Sequence, residues 1–356
     1  MQGLDPAPAA DLAAAPAVRL LRLRYAGWPW AVAGGSVREV VGTERLQRNP
    51  RPAAGSPYGW LLGEREEIPV YLPEEAGPGT GASVVVVLQP AAGPPCGLAV
   101  EAVDEVRQES ISRLRLLPEL AASRRWAFPR VVLWDDGLAL EIAPEAVPHL
   151  AAPARPAEAG SAQQTAASAA PTAGAGEPRF GTWLPRASSS AGLFVFTLPG
   201  TGALDFALPA AQVVEALSAI MPRPVPGALG PLLGLLAWRG EALPVLDLAR
   251  AVGLPPSPAP PRGASFAHAL VARAAHHRQL LVFPVERMAG VRQGPFPQPA
   301  IAIAPYPGAR RVLGAFGDGG RMLVVPDLDG ALERSPVALG ASGAASGWRS
   351  PTPDRG

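Results

Sequence analysis

Apolar and polar positions along the chain fall into short runs whose length and spacing predict β-strands. Residues 18–24 alternate between the two kinds of side chain, and residues 84–88 are four valines and a leucine, which is typical of a largely buried strand. Similar runs occupy residues 131–134, 138–142, 193–198, 280–285 and 322–325. Gly- and Asp-rich turns at 135–137 and 317–320 predict hairpins. The pattern therefore predicts an all-β protein built from closed barrels or sandwiches.

Evidence for helices is confined to two short stretches. Residues 210–220 have a composition that fits one short turn or helix. Residues 247–252 fit another, which Gly253 and Pro255 would end.

Several segments of the first half of the chain recur in the same order in the second half. The matching pairs are 37–41 with 213–217, 67–70 with 242–245, 98–103 with 283–288, and 137–140 with 321–324. An internal duplication of this kind predicts two units of the same fold. It also predicts a function built on two similar surfaces rather than on one active site.

Composition divides the 356 residues into five parts. Residues 17–150 and 191–334 are the two predicted units, and residues 151–190 form an Ala-, Pro- and Ser-rich linker. This linker has too few bulky apolar residues to offset the entropy lost on ordering, so we expect it to be flexible. Residues 1–16 and 335–356 are expected to be disordered for the same reason.

Charge and residue usage exclude several classes of function. The formal net charge is +1, so no field of the whole molecule attracts nucleic acid or anionic lipid. No lysine occurs in the sequence, which excludes a P-loop, a protein-kinase site and a pyridoxal Schiff base. The sequence predicts no catalytic residue, no cofactor site and no metal site.

The remaining sequence signals indicate a cytoplasmic protein. Cys96 is the one cysteine, lies in an apolar run, and is expected to be a buried thiol in a reducing compartment. No signal peptide is evident at the start of the sequence. The apolar run at 229–238 is interrupted by Gly and Pro and is too short to span a bilayer.

The second unit contains Gly-Leu-Leu-Ala-Trp-Arg-Gly at 234–240, followed by Pro-Val-Leu-Asp-Leu at 244–248. These motifs resemble the G-L-I-N-x-R-G and P-V-x-D-L signature of the CheW-like family, whose domains are the adaptor module of bacterial chemotaxis. Residues 206–209, 213–215 and 224–227 resemble its Y-A-L-P, V-x-E-V and P-x-P-G elements. The first unit resembles a diverged copy that lacks the Asp after Pro-Val.

This resemblance implies a fold and a set of partners. It implies that each unit is a pair of five-stranded SH3-like β-barrels with a hydrophobic groove between them. It implies docking to the cytoplasmic tip of a methyl-accepting chemoreceptor, to the regulatory domain of a CheA-type histidine kinase, and to other CheW-like domains. Nucleic-acid binding and direct insertion into a membrane are not expected.

Arg239 is the leading candidate for a partner-binding residue in the second unit, because it lies in a turn before Gly240, which can adopt backbone shapes barred to other residues. Its guanidinium would pair with a carboxylate of the receptor or kinase. The alternative is an internal ion pair with Glu215, and both roles are compatible.

Apolar candidates accompany Arg239 in the second unit. Val213, Val214 and Leu217 would line the groove or pack in a core, and strand alternation requires that Val213 or Val214 be exposed. Trp238 is either an interface anchor or a core residue.

The equivalent candidates in the first unit are Val37, Glu39, Val40 and Arg65. Glu39 and Arg65 would repeat the ion pair of the second unit if the first unit has one residue fewer in the turn.

Two other functions stay open at this point. The same fold would serve a chemosensory pathway other than flagellar chemotaxis, such as pilus-based motility. A ligand-binding β-barrel protein or an enzyme is the alternative from another class, and it would require converging polar groups in a pocket.

Overall fold

A computed structural model describes most of the two predicted units. The described residues are 16–50, 56–62, 66–73, 81–150, 192–202, 204–228, 230–254, 263–276, 278–293, 312–318 and 321–333. The predicted linker and tail lie outside them, as does the N-terminal segment up to residue 15. Among the described residues, no helix is both long enough and apolar enough to cross a bilayer.

The first unit contains twelve strands among its described residues. They are β1 (Ala17–Tyr25), β2 (Trp28–Ala33), β3 (Val37–Gly42), β4 (Leu46–Arg48), β5 (Gly59–Leu62), β6 (Glu67–Tyr71), β7 (Val84–Leu88), β8 (Cys96–Val100), β9 (Ala102–Ser110), β10 (Leu114–Leu116), β11 (Arg130–Trp134) and β12 (Gly137–Glu141). One short helix, α1 (Val147–Leu150), follows them.

These strands form two curled sheets. The end sheet, built from both ends of the unit, has the order β10-β11-β12-β2-β1-β9. The middle sheet, built from the strands between them, has the order β3-β7-β8-β6-β5-β4.

The second unit contains ten strands and two short helices among its described residues. The strands are β13 (Leu193–Thr197), β14 (Leu204–Pro209), β15 (Val213–Ile220), β16 (Leu232–Trp238), β17 (Glu241–Leu246), β18 (Phe266–Arg273), β19 (Leu280–Val285), β20 (Arg287–Arg292), β21 (Val312–Asp318) and β22 (Arg321–Pro326). The helices are α2 (Leu248–Ala251) and α3 (Leu328–Glu333). The end sheet has the order β20-β13-β14-β22-β21, and the middle sheet has the order β15-β18-β19-β17-β16.

The two units repeat one topology strand for strand. In both end sheets the second strand pairs in parallel with the last, as β2 with β12 and as β14 with β22. In both middle sheets the register shifts at the same place, between Val37 and Glu39 on β3 and between Val213 and Glu215 on β15. The predicted fold class of two units, each with a pair of small β-barrel sheets, is confirmed. The first unit adds one three-residue edge strand to each sheet, β4 and β10, so its sheets have six strands instead of the predicted five.

Local sequence explains why these segments form strands. The Val-rich strand β7 lies inside a sheet, and its residues 85–88 are buried because side chains on both faces contact apolar neighbours. Glycine recurs where two backbones cross closely. A Cβ added to Gly59 would collide with the carbonyl of Gln47, and one added to Gly234 would collide with the carbonyl of Arg223.

The structure confirms one helical prediction and corrects the other. Asp247 caps α2, because its side chain accepts a hydrogen bond of 3.1 Å from the backbone N–H of Arg250. The stretch 210–220, predicted as a turn or helix, is one 3-10 turn at Ala210–Gln212 followed by β15. Antiparallel pairing with β18 outweighs the helix propensity of its Ala, Leu and Glu residues.

The two units share an apolar core. The largest cluster of buried side chains in the first unit, which includes Trp30 and Phe128, also contains Val225 and Leu235 of the second unit. Leu120 of the first unit packs in turn within the core around Phe196 of the second unit. Apolar side chains of both units are therefore removed from water by the same contact.

Candidate functional site

The predicted Arg-Gly turn is a tight two-residue hairpin between β16 and β17. Arg239 and Gly240 have φ angles of 48° and 77°, and Trp238 pairs with Glu241 across the turn. Both positive φ angles fit a type I′ turn, in which glycine is favoured and arginine is unusual. A non-glycine residue held in this region costs about 1–3 kcal/mol and marks a position worth testing for function.

Arg239 is fixed by an ion pair and an aromatic ring. Its Nη2 lies 2.7 Å from Oε2 of Glu215, and its guanidinium carbon lies 4.7 Å from the ring centre of Trp238. Trp238 Nε1 donates a hydrogen bond of 3.2 Å to the same Glu215 oxygen. The internal ion pair named as an alternative is thus present, yet 67% of the Arg239 side chain stays exposed. The guanidinium is oriented by Glu215 and still open to a second carboxylate.

The register shift on β15 explains which valine is exposed. Val214 is the extra residue between Val213 and Glu215, and it is 39% exposed. Val213 and Leu217 are partly buried and pack against apolar cores of the second unit. Of the three apolar candidates, Val214 alone is classed as exposed, as alternation requires.

The first unit places its candidates at equivalent positions with different chemistry. Val37 packs against the core of the first unit, and Val40 is 44% exposed. Glu39 lies 3.8 Å from Arg45 of the short turn that follows β3.

Arg65 lies outside the described residues. The strands on either side of it are paired, with Leu61 opposite Ile68 as Leu236 is opposite Leu243 in the second unit.

The Arg239 turn also borders a cleft between the two units. The cleft has a volume of about 320 Å³, and the first unit contributes Trp134 and Arg113 to its walls. Arg115 of the first unit lies 3.7 Å from Glu241 of the second and links the two walls. The sequence did not predict this composite surface, because none of the first unit's lining residues belongs to a motif.

The cysteine and the possible metal ligands complete the list of reactive groups considered for the site. Burial raises the pKa of the Cys96 thiol to about 11, so the thiol is protonated at neutral pH. Within the described part of the chain, no three His, Cys, Asp or Glu side chains lie close enough to hold a metal ion.

Sheet order and motifs together define a tandem of two-sheet β units whose second copy presents an ordered arginine turn. The model of the CheW-like domain matches residues 193–335. Among solved structures, the scaffolding protein TtCheW from Thermoanaerobacter tengcongensis is similar with a TM-score of 0.32 at 16% sequence identity, covering 39% of this chain and 90% of that chain. A search of curated proteins gave no match.

Proposed function

We propose that this chain is a non-enzymatic adaptor that acts in the cytoplasm and couples chemoreceptors to a CheA-type histidine kinase. The observation that carries the proposal is the exposed, pre-oriented guanidinium of Arg239 on a CheW-like domain. Arginine recognises carboxylates through a planar fork of donors, and Glu215 and Trp238 hold that fork in one orientation before a partner arrives.

Val214 supplies the apolar part of the same proposed surface. It lies one residue before Glu215 within strand β15, and the register shift of that strand leaves its side chain exposed. An apolar contact beside an oriented arginine fits a partner helix or barrel face that carries an acidic residue next to an apolar one.

The backbone of Arg239 offers a way to separate binding from folding. Arg239→Gly relieves the backbone strain of the arginine, which stabilises the turn, and removes one exposed ion pair, which destabilises it slightly. The free energy of unfolding should therefore fall by less than about 1 kcal/mol, or increase. Affinity for the kinase regulatory domain or the receptor tip should fall at least tenfold. Both are measured on the full-length chain, by thermal unfolding and by biolayer interferometry.

A matched control comes from the first unit. Arg24 is also an exposed arginine in an ion pair, 3.0 Å from Asp104, and Arg24→Gln should leave both affinities unchanged. The proposal is wrong if Arg239→Gly binds both partners as the unmodified chain does, or if Arg24→Gln weakens binding equally.

A further inference from the structure

The contact between the two units is carried by the loop that joins β15 to β16. This loop, residues 221–231, contains the Pro-Val-Pro-Gly sequence and sends Val225 into the apolar core of the first unit. Leu235 of β16 enters the same core and is fully buried. A loop of one unit is thus enclosed by the core of the other.

An arginine of this loop is held between two tryptophans of the first unit. The guanidinium carbon of Arg223 lies 4.9 Å from the ring centre of Trp28 and 4.9 Å from that of Trp30. Arg223 is 2% exposed, and its backbone exchanges hydrogen bonds of 2.7 and 2.8 Å with Leu235. Cation–π attraction is strongest where water is excluded, as it is here. We call Arg223, Trp28 and Trp30 the clamp.

Two glycines of the second unit lie against side chains of the first unit near the clamp. A Cβ on Gly263 would lie 2.9 Å from Cζ2 of Trp28, and one on Gly227 would meet the guanidinium of Arg124. The rigid ring of Trp28 thus packs closely against the backbone of Gly263, as side chains do in a specific interface.

The contact joins different faces of two similar units. It sets the end sheet of the first unit against the middle sheet and loop of the second, which makes it heterologous. A heterologous contact between two similar units leaves the middle sheet of the first unit and the end sheet of the second unit unoccupied. If the contact residues were repeated on these two faces, further molecules could add to them and form an open chain.

The residues of the clamp do not repeat on the two unoccupied faces. Gln47 pairs with Trp60 as Arg223 pairs with Leu235, so the first unit has an exposed glutamine where the second has the clamp arginine. The two end sheets can be aligned through the parallel pairs β2–β12 and β14–β22. In this alignment Leu204 and Phe206 of the second unit are equivalent to Trp28 and Trp30 of the first.

One pair of equivalent residues differs in burial between the two end sheets, within the part of the chain that the structure describes. Leu138 in the first unit is buried in the shared core at 7% exposure. The same sheet pairing places Met322 of the second unit at the equivalent position, where it is 43% exposed.

We propose that the first unit is a built-in docking partner of the second, and that the clamp specifies a contact within one chain that cannot be repeated between copies. The molecule then meets other proteins as one self-limited pair, using the faces that this contact leaves free. This inference concerns the chain alone and does not depend on which proteins it binds.

Cleavage between the units tests the proposal on the folded full-length chain. A specific protease site is inserted between Ala170 and Pro171, the chain is cut, and its mass is followed by size-exclusion chromatography with light scattering. We expect the cut halves to elute together with the mass of one chain. Arg223→Gln, which installs the residue of the first unit, should weaken their association at least tenfold, whereas Arg287→Gln, at an exposed arginine on β20, should not.

A second substitution on the other side of the contact keeps the test independent of folding. Trp28→Leu should separate the halves as Arg223→Gln does, and the double variant should be little worse than either single one, because the two residues act as a unit. Circular dichroism of each variant reports whether both halves remain folded. Unmodified halves that separate after cleavage would overturn the proposal. So would an uncut chain that self-associates through a contact abolished by Arg223→Gln.

Discussion

The two units of this chain share a strand order but differ in which residues they present. The second unit has the Glu215–Arg239 pair and the buried Arg223, whereas the first has Glu39 beside Arg45 and an exposed Gln47. The first unit in turn has the two tryptophans that receive Arg223. The two units therefore share a scaffold and differ in the side chains at equivalent surface positions, and under the proposed docking each unit supplies a different half of the clamp.

The largest loss of stability is expected at Trp30, which belongs both to the core of the first unit and to the clamp. Trp30 is buried, and its ring centre lies 6.2 Å from that of Tyr25 and 5.5 Å from that of Phe128. Trp30→Ala should lower the free energy of unfolding by about 3–5 kcal/mol, as large-to-small core changes do. It should also release the cut halves from each other.

Phe206 provides the matched test of the same position in the second unit. It is buried beside Phe196, with ring centres 6.0 Å apart. Phe206→Ala should cost a similar 3–5 kcal/mol in urea unfolding. The cut halves should nevertheless stay associated because the clamp is intact. Their separation would show that the packing of Leu120 against this core, rather than the clamp, carries the association.

A buried ion pair in the first unit has no counterpart in the second. Arg130 Nε and Nη2 donate hydrogen bonds of 2.5 and 2.6 Å to the two oxygens of Glu141, whose side chain is 5% exposed. Arg130→Met should lower the free energy of unfolding by about 3 kcal/mol, because it leaves a buried carboxylate without its partner.

Sheet register supplies the rescue for that variant. Val325 occupies the position of Glu141 in the second unit and is fully buried. Adding Glu141→Val to Arg130→Met should recover most of the lost stability, since apolar replacement of a buried pair is often neutral. A double variant less stable than Arg130→Met would show that the ion pair has another structural role.

Sequence alone predicted the repeated strand order and most of the strands, and it named the ion pair of the second unit as one of two open alternatives. Val-rich runs and hairpin turns are local signals, and Glu215 and Arg239 fall within recognisable motifs. The path of residues 210–220 was wrong because its strand depends on pairing with β18, about fifty residues further along the chain, which local propensity does not encode.

The docking of the two units was also beyond prediction from the sequence. Trp28 and Trp30 alternate as core residues of any strand would, and Arg223 beside Pro224 reads as an ordinary loop residue. Their encounter depends on how two folded units pack together. One sequence signal was available in retrospect, since Arg223 immediately precedes the Pro-Val-Pro-Gly element that inserts into the first unit.

The single thiol of the chain distinguishes the two middle sheets. Cys96 on β8 is buried, and Leu281 on β19 stands at the equivalent position. Burial raises the Cys96 pKa from 9.0 to about 11, with a smaller contribution from the negative charge of Glu145. The folded protein should therefore react with a disulfide reagent at pH 8 at least tenfold more slowly than the chain in urea.

The same pKa shift fixes the sign of a pH effect on stability. Between about pH 9 and 11 the unfolded thiol loses its proton while the folded one keeps it, so the unfolded state binds fewer protons and stability falls as pH rises. Cys96→Leu, which copies the second unit, should remove this part of the decline. If both proteins lose stability equally over this range, the decline comes from other groups.

The smallest effect concerns the cap of α2. The strand register places Leu72, which has no side-chain acceptor, at the position that Asp247 occupies in the second unit. Asp247→Ala removes the side-chain acceptor of the Arg250 N–H and should lower the free energy of unfolding by about 1 kcal/mol, measured by urea titration. Asp247→Asn keeps an acceptor and should be nearly neutral. Equal losses in the two variants would show that the charge, through Arg250 at 3.9 Å, matters more than the cap. In that case Arg250→Gln should lower the free energy of unfolding as much as Asp247→Ala does. If the cap matters instead, Arg250→Gln should have no effect, because Asp247 accepts its hydrogen bond from the backbone N–H of residue 250, which the substitution keeps.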